Sequence, residues 1–440
     1  MRNRSFPLAS LYAPLLVKIL PISELLEGTA GKIGLAAIDQ SMLSITNFAM
    51  NIMIIRCVSK TDYGLYVCGY SLILLANSIQ NAVINIQMSI IAPKLGGVQR
   101  AAFCSRLAAG QYAMWLPISG AGALGAWALF RIGVLSSHQM IMAVVISAAV
   151  PAIFIREFYR SLLLLDFRPL RVLFSDLVYI VIAFSAFLLF EHAFPAKMDI
   201  LTFVAMGAAS MMIGGAGLRG LLRTGRETAR GTRTQASFGR CWENGKWALL
   251  AVVVTWIQRQ SYVYMLLFFK GAENTAEVNA ARLMLMPVGL VLISYGRLFM
   301  PQWAKDRSAG AGEEVFLSAK KILKYLISGI SVYTALLIIC KDELIPRLFG
   351  RAYLGSSHFI LLWGLIFIAQ AVRSNFSLVL QVFEKFRYLS MSNFFVMTAT
   401  VVASAILISL YSDIGSLFAI LSGEVLLSLA LWFALKGVRS

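Results

Sequence analysis

Two arginines, Arg259 and Arg282, stand inside long apolar stretches where a charge is expensive, and rows of amides occupy other such stretches. A guanidinium near the middle of a bilayer costs at least ~2.5–3.5 kcal/mol and almost always faces a cavity or a partner. Arg259 lies near the middle of its stretch, too deep to extend to the membrane surface, with Thr255, Gln258 and Tyr262 around it. Arg282 lies nearer the end of the next stretch. In the first apolar stretch Gln40, Ser44, Asn47 and Asn51 recur at i, i+4, i+7 and i+11, a single helical stripe flanked by Asp39 and Thr46. The second carries Asn77, Asn81 and Asn85 at four-residue spacing, with Tyr66 and Tyr70 near the same face. Hydrogen bonding between helices accounts for the small hydroxyls such as Ser44, Thr46 and Thr255, at about 0.6–2 kcal/mol each. Asp39 has two readings that the sequence leaves open: a structural partner for Arg259, or a carboxylate that couples a cation. Arg156, Glu157, Arg160 and Arg373 fall near one end of their stretches, where a charge network or contact with lipid headgroups is expected. Glu424 and Asp176 have no evident partner.

The elements that must position these residues are membrane helices. The chain has 440 residues, 59% hydrophobic and only 14% charged, whereas soluble domains run to about a quarter charged. Spanning helices need about 20 apolar residues each, and twelve segments qualify. They lie near 33–55, 64–92, 104–130, 140–165, 172–190 and 199–218, then 247–269, 276–300, 320–340, 357–382, 388–410 and 414–435. Solid apolar runs exclude an alternating β-barrel pattern.

Lys and Arg concentrate on the cytoplasmic side of membrane proteins. With the N-terminus inside, 27 of the 39 fall in inner segments, eight in outer ones, and Arg259, Arg282, Arg297 and Arg373 within helices. Both termini are therefore expected in the cytoplasm of a bacterial cell with the helices in its inner membrane. The same split explains the net charge of +18 without a nucleic-acid partner. The expected plan is an all-α integral membrane protein of about twelve transmembrane helices in two six-helix lobes related as parallel repeats. It comprises an N-terminal extension (1–32), a first lobe (33–218), a basic linker (219–246), a second lobe (247–435) and a short tail (436–440). A weak internal alignment of 156–176 with 373–393 pairs Arg156 with Arg373 and Asp176 with Asn393.

Several motifs lack the context their chemistry needs. Gly215-Ala-Gly217-Leu-Arg-Gly220 matches GxGxxG but ends a membrane helix instead of following a strand, so close packing explains it. Gly28-Thr-Ala-Gly31-Lys32 is too short for a phosphate-binding loop, and Ile33 replaces its Ser/Thr. Five scattered cysteines and three histidines assemble no metal site by spacing, and no cofactor is expected.

The run GLAAIDQSMLSITNFAMNIMIIRCVSKTDYGLYVCGYSL (34–72) and the run REFYRSLLLLDFRPLRVLFSDLVY (156–179) resemble the multidrug/oligosaccharidyl-lipid/polysaccharide exporter superfamily, within it the polysaccharide transporter branch. The resemblance implies a flippase, not an enzyme, that moves a polyprenyl-diphosphate-linked oligosaccharide to the periplasmic leaflet for exopolysaccharide or O-antigen assembly. Its substrate-binding set would be Arg259, Arg282, Tyr262 and Arg373, with Asp39, Gln40, Asn47, Asn51, Asn77 and Asn81 on the facing wall. Its partners would be the lipid-linked oligosaccharide, bilayer lipids, and polysaccharide polymerase and export machinery. A cation-coupled small-molecule antiporter of the same superfamily is the main alternative. A membrane polymerase or ligase is a weaker one, because the outer loops are short.

Overall fold

The computed structural model describes residues 29–166, 168–229 and 238–439. Residues 1–28 of the expected N-terminal extension and 230–237 of the expected linker lie outside them. Among the described residues there is no strand. In chain order the helices are α1 (Thr29–Cys57), α2 (Lys60–Gln80), α3 (Ile86–Ile91), α4 (Gly97–Arg131), α5 (Ser137–Leu165), α6 (Pro169–Ala193) and α7 (Met198–Ala229). There follow α8 (Phe238–Lys270), α9 (Ala272–Met284), α10 (Met286–Ser308), α11 (Gly312–Leu348), α12 (Phe359–Val382) and α13 (Phe386–Arg439). Each of the twelve apolar segments in the sequence falls on one of these helices, on a joined pair, or on one arm of α13.

Eight described helical stretches are long and apolar enough to cross a membrane, nine if α9 and α10 count as one bent span. The stretches holding α1 and α8 are not among them: Asp39 and the amide stripe lie in the first, and Gln258, Arg259 and Gln260 lie in the apolar run of the second.

Local chemistry sets the breaks. A π-helical turn, Asn81–Asn85, joins α2 to α3. Such turns carry one residue more than the surrounding α-helix and often mark functional places. Ser136 and Gln139 form a reciprocal capping box at the start of α5, at 3.0 and 3.2 Å. Pro287 in the first turn of α10 lacks the N–H that would continue α9, and the two helices meet at 55°. Within α13, Ser412 has φ +60° and divides the element into two arms. The turn is so tight that a Cβ on Gly415 would fall 1.9 Å from the Leu407 carbonyl oxygen, so only glycine fits.

The chain divides into two compact units. One holds residues up to 46, 80–188 and 203–245. Its α5 and α7 pack closely at glycines: a Cβ on Gly214 would lie 2.6 Å from the Arg156 nitrogen, and one on Gly217 would lie 2.5 Å from the Tyr159 ring. The other holds 47–79, 189–202 and 246–440. There the start of α2 docks on α9, with Gly64 against the Ala272 carbonyl, Lys60 paired with Glu277, and Thr61 donating to Glu273 at 3.2 Å. Tyr63 meets Tyr353 edge to face, and Tyr63, Tyr66 and Tyr70 stack along α2.

Candidate functional site

The second unit contains a small polar cavity of about 20 Å³, lined by Gln258, Arg259 and Tyr262 of α8, Arg282 of α9, Trp363 and Gln370 of α12, and Thr400, Ile420, Gly423 and Glu424 of α13. Spacing on α8 puts Arg259 and Tyr262 three residues apart, on one helical face. Arg282 is held in place: its Nη1 donates to the Tyr262 hydroxyl at 3.0 Å, and that hydroxyl donates to Asn279 Oδ1 at 3.1 Å. The guanidinium also lies 5.5 Å from the centre of the Trp363 ring, whose indole N–H is fixed on the Val278 carbonyl at 2.9 Å. No carboxylate pairs with Arg282 among the described residues.

Arg259 differs. Its side chain is accessible from the cavity and makes no hydrogen bond or ion pair with a described residue. The charged groups near enough to act on it are Arg373, Glu424 and Arg282. Arg373 sits beside the cavity through Glu424, with Nε 2.5 Å from Glu424 Oε2. Three guanidiniums therefore surround one carboxylate, and the place is net cationic. The guanidiniums only donate, suited to phosphate oxygens, while the amides of Gln258 and Gln370 both donate and accept, suited to sugar hydroxyls.

The first unit carries a second polar centre of opposite balance. Asp176, fully buried, accepts from Arg156 Nη2 at 2.6 Å and Arg160 Nε at 2.8 Å. Arg156 also meets Glu157 at 2.9 Å and stacks over Tyr179 at 3.7 Å. Arg160 reaches on to Asp39. This is the charge network expected at Arg156, Glu157 and Arg160. The partner of Asp39 is therefore Arg160, not Arg259, and the sequence offered no means of ranking two arginines so far from it along the chain. Three carboxylates share two guanidiniums, and Asp39 Oδ1 remains buried without a partner.

The candidate residues separate as follows. Arg259, Tyr262 and Arg282 come together in the cavity, with Arg373 joined through Glu424. Asn47, Asn51 and Asn77 belong to the same unit but do not line it; Asn51 donates to the Asn47 carbonyl at 2.7 Å, and Asn77 Oδ1 is buried without a partner. Asp39, Gln40 and Asn81 belong to the other unit. There the Gln40 carbonyl accepts from the Ser44 hydroxyl at 2.7 Å, and Asn81 is exposed. Trp363, Gln370 and Thr400 are cavity residues without a mark in the sequence. Glu424 did have one, an acid set in an apolar helix. The aligned repeat does not extend to pairing: Arg156 finds Asp176, but Arg373 finds Glu424 instead of Asn393.

No protein-family profile matches the chain, and no curated protein matches it. Solved structures do. A structure of the lipid II flippase MurJ, in an inward closed conformation, superposes with a TM-score of 0.74 at 14% identity, over 92% of this chain and 87% of that one. The chain has the fold of the MOP superfamily transporters. An inward-facing multidrug resistance MATE family transporter of that superfamily gives 0.71 at 11% identity, over 91% and 98%. A MOP superfamily transporter from Pyrococcus furiosus gives 0.63 at 12%, over 95% and 98%. All three are transporters or flippases. The MOP fold thus agrees with the all-α, multi-pass reading of the sequence.

Proposed function

We propose that this chain is an inner-membrane flippase for a polyprenyl-diphosphate-linked oligosaccharide, working by alternating access, with both termini in the cytoplasm. One observation carries the reading: Arg259 stands in a polar cavity with no ion pair to a described residue, beside an Arg282 held by neutral partners. An unpaired guanidinium at membrane depth is costly unless an anion or water meets it. A diphosphate supplies that anion, and cannot cross hydrocarbon alone because desolvating its charge is prohibitive. The prenyl tail can stay in the lipid while the headgroup exchanges water for guanidinium and amide donors.

The test is flipping in proteoliposomes loaded with fluorescently tagged lipid-linked oligosaccharide, read by access of a membrane-impermeant quencher. Arg259→Ala and Arg282→Ala are expected to lower the rate at least ten-fold with insertion intact, and Arg259→Lys to recover part of it. Normal flipping by both alanine variants would remove the cationic-cavity reading.

The second reading is a cation-coupled antiporter for small molecules. It is favoured by the first unit's excess carboxylate and the partnerless Asp39 Oδ1. Uptake of a lipophilic cation driven by a proton or sodium gradient, lost in Asp39→Asn and indifferent to Arg259→Ala, would select it.

A further inference from the structure

The Arg373–Glu424 pair sits at the wall of the cationic cavity, and stability does not explain it. Removing two charges from water costs several kcal/mol per ion, so a buried pair of this kind roughly breaks even against apolar packing. Glu424 is 4% exposed and cannot travel far. Gly423, just before it, packs so closely on Thr400 that a Cβ would lie 2.2 Å from the threonine hydroxyl, and the Glu424 carbonyl accepts from Ser428 at 2.7 Å. Its carboxylate is thus a fixed charge. Arg373 is the longer and looser partner, and only its Nε is engaged. Its two Nη groups have no described acceptor, so the outer fork of the guanidinium is available to another oxyanion.

We infer that Glu424 is a built-in anion that competes with the phosphates of the substrate for Arg373, and so keeps binding weak enough to be reversed. The inference rests on the diphosphate reading of the cavity. A carrier that met a dianion with three unopposed guanidiniums would hold it and stop. Conduction through any membrane site requires affinity high enough for entry and low enough for exit. With Glu424 present the group carries two net positive charges, matching the two negative charges of a diphosphate diester. On arrival the phosphate takes Arg373 from Glu424, and on departure Glu424 takes it back.

Binding of farnesyl-diphosphate-linked N-acetylglucosamine, a diphosphate diester, to the full-length protein in detergent, with flipping in proteoliposomes alongside, tests this. Glu424→Gln is expected to bind at least ten-fold more tightly than the parent and to flip more slowly, while Glu424→Asp stays near the parent in both. Equal or weaker binding by Glu424→Gln would overturn the inference and leave Glu424 as a residue that positions Arg373. Should Glu424→Gln fail to fold, the charge-conserving pair Arg373→Gln/Glu424→Gln decides. Affinity within about three-fold of the parent supports competition, because charge and competitor leave together, and a ten-fold loss overturns it. Arg259→Ala beside these variants separates the two levels. Unchanged affinity there removes the diphosphate reading itself, whereas loss there without gain in Glu424→Gln removes only the role of Glu424.

Discussion

Arg259 and Asp176 are charged residues under opposite constraints. Asp176 accepts from two arginines and has no exposed surface. Replacing it by asparagine leaves Arg156 with Glu157 and Arg160 with Asp39 but takes away the buried carboxylate to which both arginines donate. Breaking a buried ion pair in this way costs about 3–5 kcal/mol, so Asp176→Asn is expected to unfold in detergent at a much lower temperature than the parent, read by fluorescence-detected size exclusion after heating. Arg259 has no hydrogen-bond or ion-pair partner among the described residues to lose. Arg259→Gln is expected to melt at or above the parent while failing to flip substrate, and a melting temperature well below the parent would show a structural role instead. The same contrast explains what the sequence disclosed. A charge inside an apolar helix breaks a rule visible in one dimension, which singled out Arg259 and Arg282. Trp363, Gln370 and Thr400 break no rule, and only packing brings them to the cavity. Pairing was the least legible level, since Asp39 meets Arg160 across 121 residues.

At the level of elements, α7 offers a controlled comparison on consecutive glycines. Gly214 and Gly217 face α5 at distances that admit no Cβ, whereas a Cβ on Gly215 meets nothing within 4 Å. Gly214→Ala and Gly217→Ala must push α5 and α7 apart, at about 1–3 kcal/mol for overpacking. Gly215→Ala is expected to be neutral or to stabilise by up to about 1 kcal/mol, because alanine is the better helix former. Thermal denaturation of the three variants checks this; equal behaviour would mean that α5 and α7 are not in contact as described. The GxGxxG pattern in this stretch was legible as packing and not as a nucleotide site. The sequence showed neither which glycines do the packing nor that Gly214, outside the pattern, is one of them. Helix positions were the most legible feature, because twelve apolar runs are a strong periodic signal. The π turn after α2 and the bend after α9 were not, since each depends on a local backbone choice that hydropathy averages away.

For the whole molecule, the sequence leads one to expect two groups of six helices, whereas the described residues divide into compact units along another line. The unit that holds the cavity also takes in 47–79 and 189–202. One reason is visible at Gly64, where the absence of a side chain lets α2 approach the backbone of α9 at Ala272. That glycine belongs to the run 34–72 that resembles the exporter superfamily, but the sequence does not show what it packs against. On the alternating-access reading proposed above, the two six-helix groups of the sequence must part once per cycle, and α2 and α9 come from different groups. A disulfide between Thr61→Cys and Glu273→Cys is therefore expected to stop flipping, with activity returning on reduction by dithiothreitol. Undiminished flipping in the oxidised protein would show that α2 and α9 stay together throughout the cycle. On the orientation expected from the sequence, most of the +18 charge lies in cytoplasmic segments and has no part in this chemistry, and the cavity uses only a few cations.

The π turn at Asn81–Asn85 has a consequence for how the chain tolerates changes in length. Removing one residue from an α-helix rotates everything beyond it by about 100°, which inside a membrane span turns a buried face toward lipid. Here the extra residue is already absorbed in a widened turn. Deleting Val83 would let α2 run into α3 as a continuous α-helix with both flanks still facing their neighbours. The middle of this span is thus a site where a single-residue deletion can be accommodated, at a depth where chain length is otherwise fixed.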